Sequence, residues 1–242
     1  MAAHRAAILT HAGKLFRQHG IDGVAVADIT GAAGLTHGAF YGHFASKSAL
    51  AADACRSSLV QAAANWRQRA AAARLAGTDP IAALIDAYLA PERRDQPDTS
   101  CMLAALGPES SRDPQLRAAM ADGVNALLTV LEELIARRRT DAADAAQVPI
   151  DHAAAGHVSS AKHVSIGHAR AQPAATDPAP TEFAPNERAP LEATLLEPAQ
   201  AALAALAAMS GGLTLARTLA GDPERSDTAL LGAAALAKRA AA

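Results

Sequence analysis

A short block of the sequence, from Ala27 to Lys47, carries polar side chains whose types suit contact with a nucleic acid. Hydroxyl, imidazole and ammonium groups can donate hydrogen bonds to phosphate oxygens, which a DNA duplex offers along both strands. The side chains concerned are Thr36, His37, Tyr41, His43 and Lys47. The alternative is a purely structural three-helix bundle, but Tyr41, His43 and Lys47 would serve no packing purpose in one. The block therefore predicts a DNA interface.

The elements that must position these side chains form a helix-turn-helix. Ile29 and Ala33 predict the inner face of a first short helix, and Gly34 supplies a turn that requires positive φ. Thr36 can cap a second short helix over His37 to Gly42. Two short helices within about 20 residues have the size of this motif. The second helix then presents its N-terminal residues to the major groove, which is wide enough to admit a helix.

Helical patterns also flank the block. Ile8, Ala12 and Phe16 recur at the helical period before Gly20, and Ser46 can cap a long helix that starts at Lys47. Alanine dominates the composition and aromatic residues make up 3% of the chain. Since alanine is the best helix former, we predict an all-α fold.

Further helix starts are marked by an aspartate followed by proline. Asp79-Pro80 and Asp113-Pro114 each supply a capping side chain and a proline in the first turn. Between them, we expect a charged loop from Pro91 to Asp98. The second of these helices is predicted to end in the basic run Arg137-Arg138-Arg139, which suits a helix C-terminus.

The region from 140 to 190 differs from the rest of the chain. It has little apolar periodicity and is interrupted by prolines, so we predict a long disordered insertion. Its histidines, spaced five, six and five apart, lack the spacing of metal ligands, and we expect no metal site. They are His152, His157, His163 and His168.

Two alanine- and leucine-rich helices are predicted at the end of the chain, over 191–220 and 226–240, with Ser226 capping the second. These helices contain more alanine and leucine than the core of a single bundle needs. Paired with a second copy, they would form a four-helix interface, so we predict a two-fold homodimer. The expected domains are a helix-turn-helix domain over 1–47 and a helical regulatory and dimerisation domain over 48–242.

The N-terminal region resembles the signature of the TetR family of transcription regulators, in order and without gaps, over about Ile8 to Leu50. The matching residues are Asp28-Ile29, Ala33-Gly34-Leu35-Thr36, Gly38, Phe40-Tyr41, His43-Phe44, Ser46-Lys47 and Leu50. The resemblance implies an N-terminal three-helix DNA-binding domain and a C-terminal helical bundle that binds a ligand and dimerises.

The resemblance also implies a role for each position of the second short helix and its surroundings. His37, Gly38 and Ala39 would lie against base edges, while Thr36, Tyr41, His43 and Lys47 would reach phosphates. Two positions depart from the family pattern: Ala25 replaces a usual capping Thr or Ser, and Ala39 replaces a usual Thr. Direct base reading therefore depends on His37 and on contact of Ala39 with thymine methyl groups.

A ligand pocket is implied by the same resemblance, on helices behind the DNA-binding domain. The candidate lining residues are Trp66, Tyr88, Cys101, Met102, Met120 and Asn125. Because few charged residues fall on the inward faces, we expect an apolar or aromatic ligand. The alternative for the large side chains is ordinary core packing. Cys101, at a predicted helix start, is either a reactive thiol or a small buried hydrophobe.

The remaining features exclude several classes of protein. We find no Ser/His/Asp set, phosphate loop or paired carboxylates, so we predict no enzymatic activity and no cofactor. Two isolated cysteines, no signal peptide and no clean membrane span predict a cytoplasmic protein without a membrane partner.

Together these observations predict a dimeric repressor that binds a palindromic DNA operator and is released by a small-molecule ligand. A thiol-based sensor of electrophiles or redox state acting through Cys101 is one alternative. The other is a helical protein-interaction module that has lost specific DNA binding.

Overall fold

The computed structural model describes residues 2–146 and 196–242, and this part of the chain is all helical apart from its turns, as predicted. Its elements are α1 (Ala2–His19), α2 (Val26–Ala32), α3 (His37–Tyr41), α4 (Lys47–Leu75), α5 (Pro80–Tyr88), α6 (Pro91–Asp95), α7 (Met102–Ser110), α8 (Pro114–Ala146), α9 (Pro198–Thr218) and α10 (Pro223–Ala240), with a 3-10 turn at Pro97–Thr99. The segments Met1–Ala142 and Leu196–Ala242 form one compact unit.

The three N-terminal helices share a core with the start of α4. Ile8, Phe16, Ile29 and Phe40 are completely buried, and Phe44 is 4% exposed. The aromatic rings of Phe40 and Phe44 pack with their centroids 5.8 Å apart. Burial of these large side chains, each contributing about 1.5–3 kcal/mol, compensates for helices too short to be stable alone.

The predicted helix starts behind this core are confirmed. The side chain of Ser46 accepts a hydrogen bond from the Ala49 amide, and Asp79 accepts one from Ile81. Asp113 accepts bonds from the Gln115 and Leu116 amides. Each cap satisfies one or two of the amides that a helix N-terminus leaves without an internal acceptor.

One expected helix end and one expected loop are wrong. The basic run Arg137–Arg139 does not end α8, which continues for seven more residues to Ala146. The first seven residues of the insertion predicted from 140 to 190 are therefore helical, and the remainder of that prediction lies outside the described residues. The segment Pro91–Asp98, expected as a charged loop, forms α6 and part of the 3-10 turn.

Helices α9 and α10 pack closely as an antiparallel pair. A Cβ added at Gly212 would lie 2.1 Å from the Cβ of Ala233, so glycine is required for this approach. The N-cap of α10 is Asp222, whose side chain accepts from the Arg225 amide. Ser226, predicted to be the cap, is instead fully buried and donates to the carbonyl of Ala216.

Helix α9 is also long enough and apolar enough to cross a membrane by length and composition, with 39% of its most apolar window buried. A core helix of a globular protein meets the same criteria. The buried residues of α9 face the rest of the bundle: they include Leu206, Met209 and Leu213. Leu203 and Leu215 of the same helix are exposed, at 57% and 51%.

Candidate functional site

The turn between α2 and α3 has the backbone geometry predicted for a helix-turn-helix. Gly34 has φ of +68°, a conformation that side chains with a Cβ rarely adopt. Its amide donates to the carbonyl of Gly31 over 3.0 Å, and the Leu35 amide donates to the carbonyl of Thr30 over 2.8 Å. These bonds satisfy the last carbonyls of α2 and redirect the chain into α3.

Helix α3 is anchored on one side by Phe40 and presents the opposite side to solvent. Thr36, His37 and Gly38 are exposed, and Tyr41 is 61% exposed. The rings of His37 and Tyr41 meet edge to face with centroids 5.5 Å apart. Nothing lies within 4 Å of a Cβ built at Gly38, so this surface is open to a close approach.

Ala39 and His43 are half-buried at the margins of this surface. The ring of His43 packs against the ring of His4 from α1, with centroids 6.4 Å apart. The structure thus brings Thr36, His37, Gly38 and Tyr41 together on one exposed face, with Ala39 and His43 beside it.

Thr36 occupies the N-cap position of α3, but its hydroxyl makes no capping hydrogen bond. Ala25 likewise occupies the N-cap position of α2 and has no side chain that could accept one. Asp28 compensates in part, because its carboxylate accepts from the Ala25 amide over 2.9 Å. Both short helices therefore begin with amides that no cap side chain satisfies.

Lys47 has partners that the sequence did not reveal. Its ammonium donates to the carbonyls of Ile21 and Val24, over 2.9 and 3.1 Å. Those carbonyls belong to the turn between α1 and α2, so Lys47 holds this turn against the start of α4. An ammonium has three donors, which leaves one for a phosphate.

Two further contacts connect the first helices to the rest of the bundle. A carboxylate oxygen of Glu109, on α7, accepts from the Ile21 amide over 3.1 Å. The Nε of Arg17, on α1, donates to the carbonyl of Asp98 in the 3-10 turn over 2.7 Å. The position of α1 and its following turn is thus fixed by α4, by α7 and by the 3-10 turn.

A cleft of about 900 Å³ lies between α1, α4, α5 and the segment that contains the 3-10 turn and the start of α7. Four predicted pocket residues line it: Trp66, Tyr88, Cys101 and Met102. The rings of Trp66 and Tyr88 meet edge to face with centroids 6.1 Å apart. Leu9, Leu59, Leu84 and Leu127 extend the apolar wall.

The other two predicted pocket residues, Met120 and Asn125, do not line the cleft. Met120 is 5% exposed and lies in the core, where its sulfur is 3.5 Å from that of Cys55. Asn125 is exposed on the outer side of α8. Both sit on α8, which reaches this cleft only through Leu127.

Four basic side chains line the cleft, and sequence reasoning missed them: Lys14, Arg17, Arg69 and Arg93. No aspartate or glutamate is among the lining residues. Burial lowers the pKa of the Arg17 guanidinium, which shows that its charge is partly removed from water. The spacing of Lys14 and Arg17 on one face of α1, three residues apart, was a signal that could have pointed to them.

The two cysteines are in contrasting environments. Burial raises the pKa of the Cys55 thiol to about 12, so this sulfur is protonated and inert at neutral pH. Cys101 is half-buried at the N-cap of α7 and lines the cleft. The hydroxyl of Tyr88 lies beside it and has no oxygen or nitrogen partner.

Within residues 2–146 and 196–242, no three His, Cys, Asp or Glu side chains cluster as a metal site. The four histidines between His152 and His168 lie outside that part of the chain.

The comparison with protein families matches residues 8–54 to "Bacterial regulatory proteins, tetR family". The match begins at Ile8 on α1, spans α2 and α3, and ends within the second turn of α4. No curated protein matches the chain.

Solved structures share the fold over nearly the whole chain. The reduced form of E. coli NemR superposes with a TM-score of 0.62 at 17% identity, covering 96% of this chain and 97% of that one. A TetR-family transcriptional regulator from Streptomyces coelicolor gives 0.50 at 20% identity, covering 100% and 98%. The regulator FadR from Bacillus subtilis, solved with stearoyl-CoA, gives 0.53 at 10% identity, covering 98% and 97%.

Proposed function

We propose that the chain is a TetR-family transcriptional regulator, a cytoplasmic, dimeric repressor that releases a palindromic operator when a small molecule binds. Two findings support this proposal: residues 8–54 match the tetR family, and the fold is shared with solved structures of such regulators. The observation that carries this proposal is the exposed face of α3. Thr36, His37, Gly38 and Tyr41 lie there with no packing role, on a helix that Phe40 anchors from behind.

We assign the contacts on DNA as follows. His37 donates to a base edge, with Gly38 and Ala39 close enough to the groove floor for apolar contact. Tyr41, His43 and the uncapped Thr36 hydroxyl reach phosphates. Lys47 offers its third donor to the backbone while its other two hold the turn after α1. Because so few side chains read bases directly, sequence-dependent DNA shape contributes to specificity.

The proposed domain boundary at Lys47 divides the roles of α4. Its N-terminus belongs to the DNA-binding domain of residues 1–47, and the rest of it lines the cleft through Ser58, Leu59 and Trp66 within the regulatory domain of residues 48–242. A shift of α4 would therefore move the reading helix directly.

For the dimer interface we propose the outer faces of α9 and α10. Four exposed leucines lie there: Leu203, Leu215, Leu231 and Leu236. Exposed large apolar side chains on two adjacent helices indicate a surface that is covered in the assembly. A two-fold pairing of these faces would form a four-helix interface and place two copies of α3 on successive major grooves.

The test is selection of bound sequences from random duplexes at about 150 mM salt, with matched variants. We expect a palindrome for the wild-type protein. His37→Ala should relax preference at one position of each half-site, whereas Tyr41→Phe should weaken all sequences alike, by the loss of one phosphate contact. His19→Ala, an exposed histidine outside the surface, is the control. A folded dimer that selects no motif would refute the proposal and favour the interaction module.

Cys101 supports a second candidate function, a thiol-based sensor of electrophiles. It is the half-buried cysteine at a helix N-terminus, and it lines the same cleft. Under this alternative, Cys101→Ser abolishes the release of DNA by an alkylating electrophile such as N-ethylmaleimide. Cys55→Ser is the control, because the buried Cys55 thiol should not react. Release that persists in Cys101→Ser would exclude the thiol sensor.

A further inference from the structure

We propose that the cleft between α1 and α4 selects an organic anion, whose charged group is held by Lys14, Arg17, Arg69 and Arg93 and whose apolar body lies on Trp66, Tyr88 and Met102. This inference rests on the proposed ligand response and names the chemical class of the ligand. It adds an anionic group to the apolar or aromatic compound that the sequence led us to expect.

The first argument is the charge balance of the cleft. Its four basic side chains face no lining carboxylate. None of them forms an ion pair with another residue in the part of the chain that the structure describes, whereas Arg5, Arg56, Arg67, Arg94 and Arg138 all do. Unpaired cations gathered in one concave site attract an anion from solution.

Arg17 gives the second argument, since its guanidinium is half-buried. Its hydrogen bonds go to the Asp98 carbonyl at 2.7 Å and the Ser58 hydroxyl at 3.4 Å, both neutral acceptors. Asp98 and Cys101 act on its charge only at longer range. Partial burial of a cation without a contacting anion carries a cost, and a bound carboxylate or phosphate would remove it.

Two buried hydroxyls point to the same conclusion. Tyr88 and Ser100 line the cleft while being 9% and 6% exposed, and neither hydroxyl oxygen has an oxygen or nitrogen partner. Buried polar groups are nearly always hydrogen-bonded in folded proteins. The Ser100 hydroxyl has no partner and the Tyr88 hydroxyl has only the weakly polar Cys101 thiol beside it, so both could accept a better partner. An anion with several acceptor oxygens can accept hydrogen bonds from hydroxyls as well as from a guanidinium.

The rest of the wall sets the nature of the ligand's body. Leu9, Leu59, Leu84 and Leu127 continue the surface formed by Trp66 and Met102. A small inorganic anion would leave this wall in contact with water, while an alkyl or aromatic group would cover it. The shared chemistry is therefore an anionic head on an apolar body, and the head is a carboxylate, a sulfonate or a phosphate ester.

Three of the four cations lie on helices whose movement would change the position of the DNA-reading helix α3. Lys14 and Arg17 are on α1, which packs against α2, and Arg69 is on α4. An anion bridging them competes with the Asp98 carbonyl for the Arg17 donors and draws α1 and α4 together. This changes the position of the DNA-reading helix relative to the rest of the subunit, provided that the anion prefers one of the two arrangements.

The test uses two fluorescent probes that differ by one anionic group. These are 1-anilinonaphthalene-8-sulfonate and N-phenyl-1-naphthylamine, which lacks the sulfonate. Titrated into the full-length protein without DNA, the sulfonate should bind at least about tenfold more tightly, as expected for a charge-assisted contact in a partly buried site. Equal affinities would overturn the proposal.

Variants locate the selectivity. Lys14 and Arg69 are exposed and have no hydrogen bond in the described structure, so Lys14→Gln/Arg69→Gln should fold normally, which thermal melting verifies. We expect this double variant to bind the sulfonate about tenfold more weakly and the neutral amine unchanged. Arg74→Gln, also on α4 but outside the cleft, is the matched control. A loss as large in Arg74→Gln would place the probe elsewhere and refute the cleft.

Competition identifies the head group. Decanoate or decyl phosphate should displace the sulfonate probe, and whichever is stronger names the preferred group; displacement by decanol at equal concentration would overturn the anion preference. Because no DNA is present, failure here is distinct from failure of the proposed function. A protein that selects an operator yet binds both probes equally remains a repressor, with a ligand of another class.

Discussion

Gly38 offers a sharp test of how closely α3 approaches DNA, because its effect on the isolated protein can be worked out beforehand. A Cβ at Gly38 would meet nothing within 4 Å, and the same is true at Gly31 on α2. Both residues are helical and neither has positive φ. Replacing either by alanine should therefore raise the free energy of unfolding by about 0.5–1 kcal/mol through helix propensity alone.

On DNA the two variants should differ. If His37 and Ala39 read base edges, the methyl group of Gly38→Ala stands in the interface, where displacing packed atoms costs about 1–3 kcal/mol. That cost corresponds to a loss of about 5- to 150-fold in affinity. Gly31→Ala adds the same methyl group outside the reading helix, and its affinity should stay within about twofold.

The measurement is fluorescence anisotropy with the selected operator at fixed salt, alongside thermal melting of both variants. Melting establishes that both are folded and at least as stable as the wild-type protein. If Gly38→Ala binds the operator as tightly as Gly31→Ala does, α3 does not come close to the bases at this position. Our assignment of His37 to a base edge would then be refuted, because it lies beside Gly38.

Two more outcomes follow from the packing and the caps. Gly123→Ala should destabilise the fold by about 1–3 kcal/mol in a urea titration, since its Cβ would lie 2.5 Å from the Cβ of Leu59. The control Gly107→Ala, whose nearest neighbour is at 3.9 Å, should be neutral or stabilising. Equal stabilities of the two variants would contradict the close approach of α8 to α4. The hydrogen bond from the Ser48 hydroxyl, followed by those from the capped amides, holds the pKa of Asp113 below its usual value. The stability that the Asp113 carboxylate contributes is therefore present above about pH 4 and is lost as the pH falls through the lowered pKa. Asp113→Asn should therefore lose less stability than the wild-type protein between about pH 6 and pH 2, and an unchanged loss would show that this carboxylate contributes nothing.

The parts of the fold that depend on local sequence were predictable. Gly34 has the positive φ expected of it, and Gly20 follows directly after the last residue of α1. Ser46, Asp79 and Asp113 cap the helices that they were expected to cap. In each case the residue acts on amides or dihedral angles within a few positions of itself. The prediction that Ser226 caps α10 was wrong because Asp222, four residues earlier, is the cap and because Ser226 donates to the buried carbonyl of Ala216 in α9.

The parts that depend on contacts between distant segments were not predictable from periodicity. The partners of Lys47 lie in a turn more than 20 positions earlier, and those of Arg17 lie 41 and 81 positions later. The cleft is lined by residues of six helices and the 3-10 turn, so its charge appears only after these are assembled. Asn125 was assigned to a pocket from its helix alone, and the rotation of α8 places it on the outside.

These distant contacts explain how a ligand could act on DNA binding without touching α3. The turn after α1 is held at Ile21 by Lys47 and Glu109, and α1 is held by Arg17 on the carbonyl of Asp98. Each hydrogen bond to a charged group contributes about 1.5–3 kcal/mol. If a ligand replaces the Asp98 carbonyl as partner of Arg17 in one arrangement of α1, the free-energy difference between the two arrangements changes by an amount typical of allosteric coupling. An apolar ligand lying on Trp66 alone would leave all three contacts in place. Coupling through these three contacts needs a ligand that engages Arg17. Under our proposal, the anionic head rather than the apolar body therefore determines whether the operator is released.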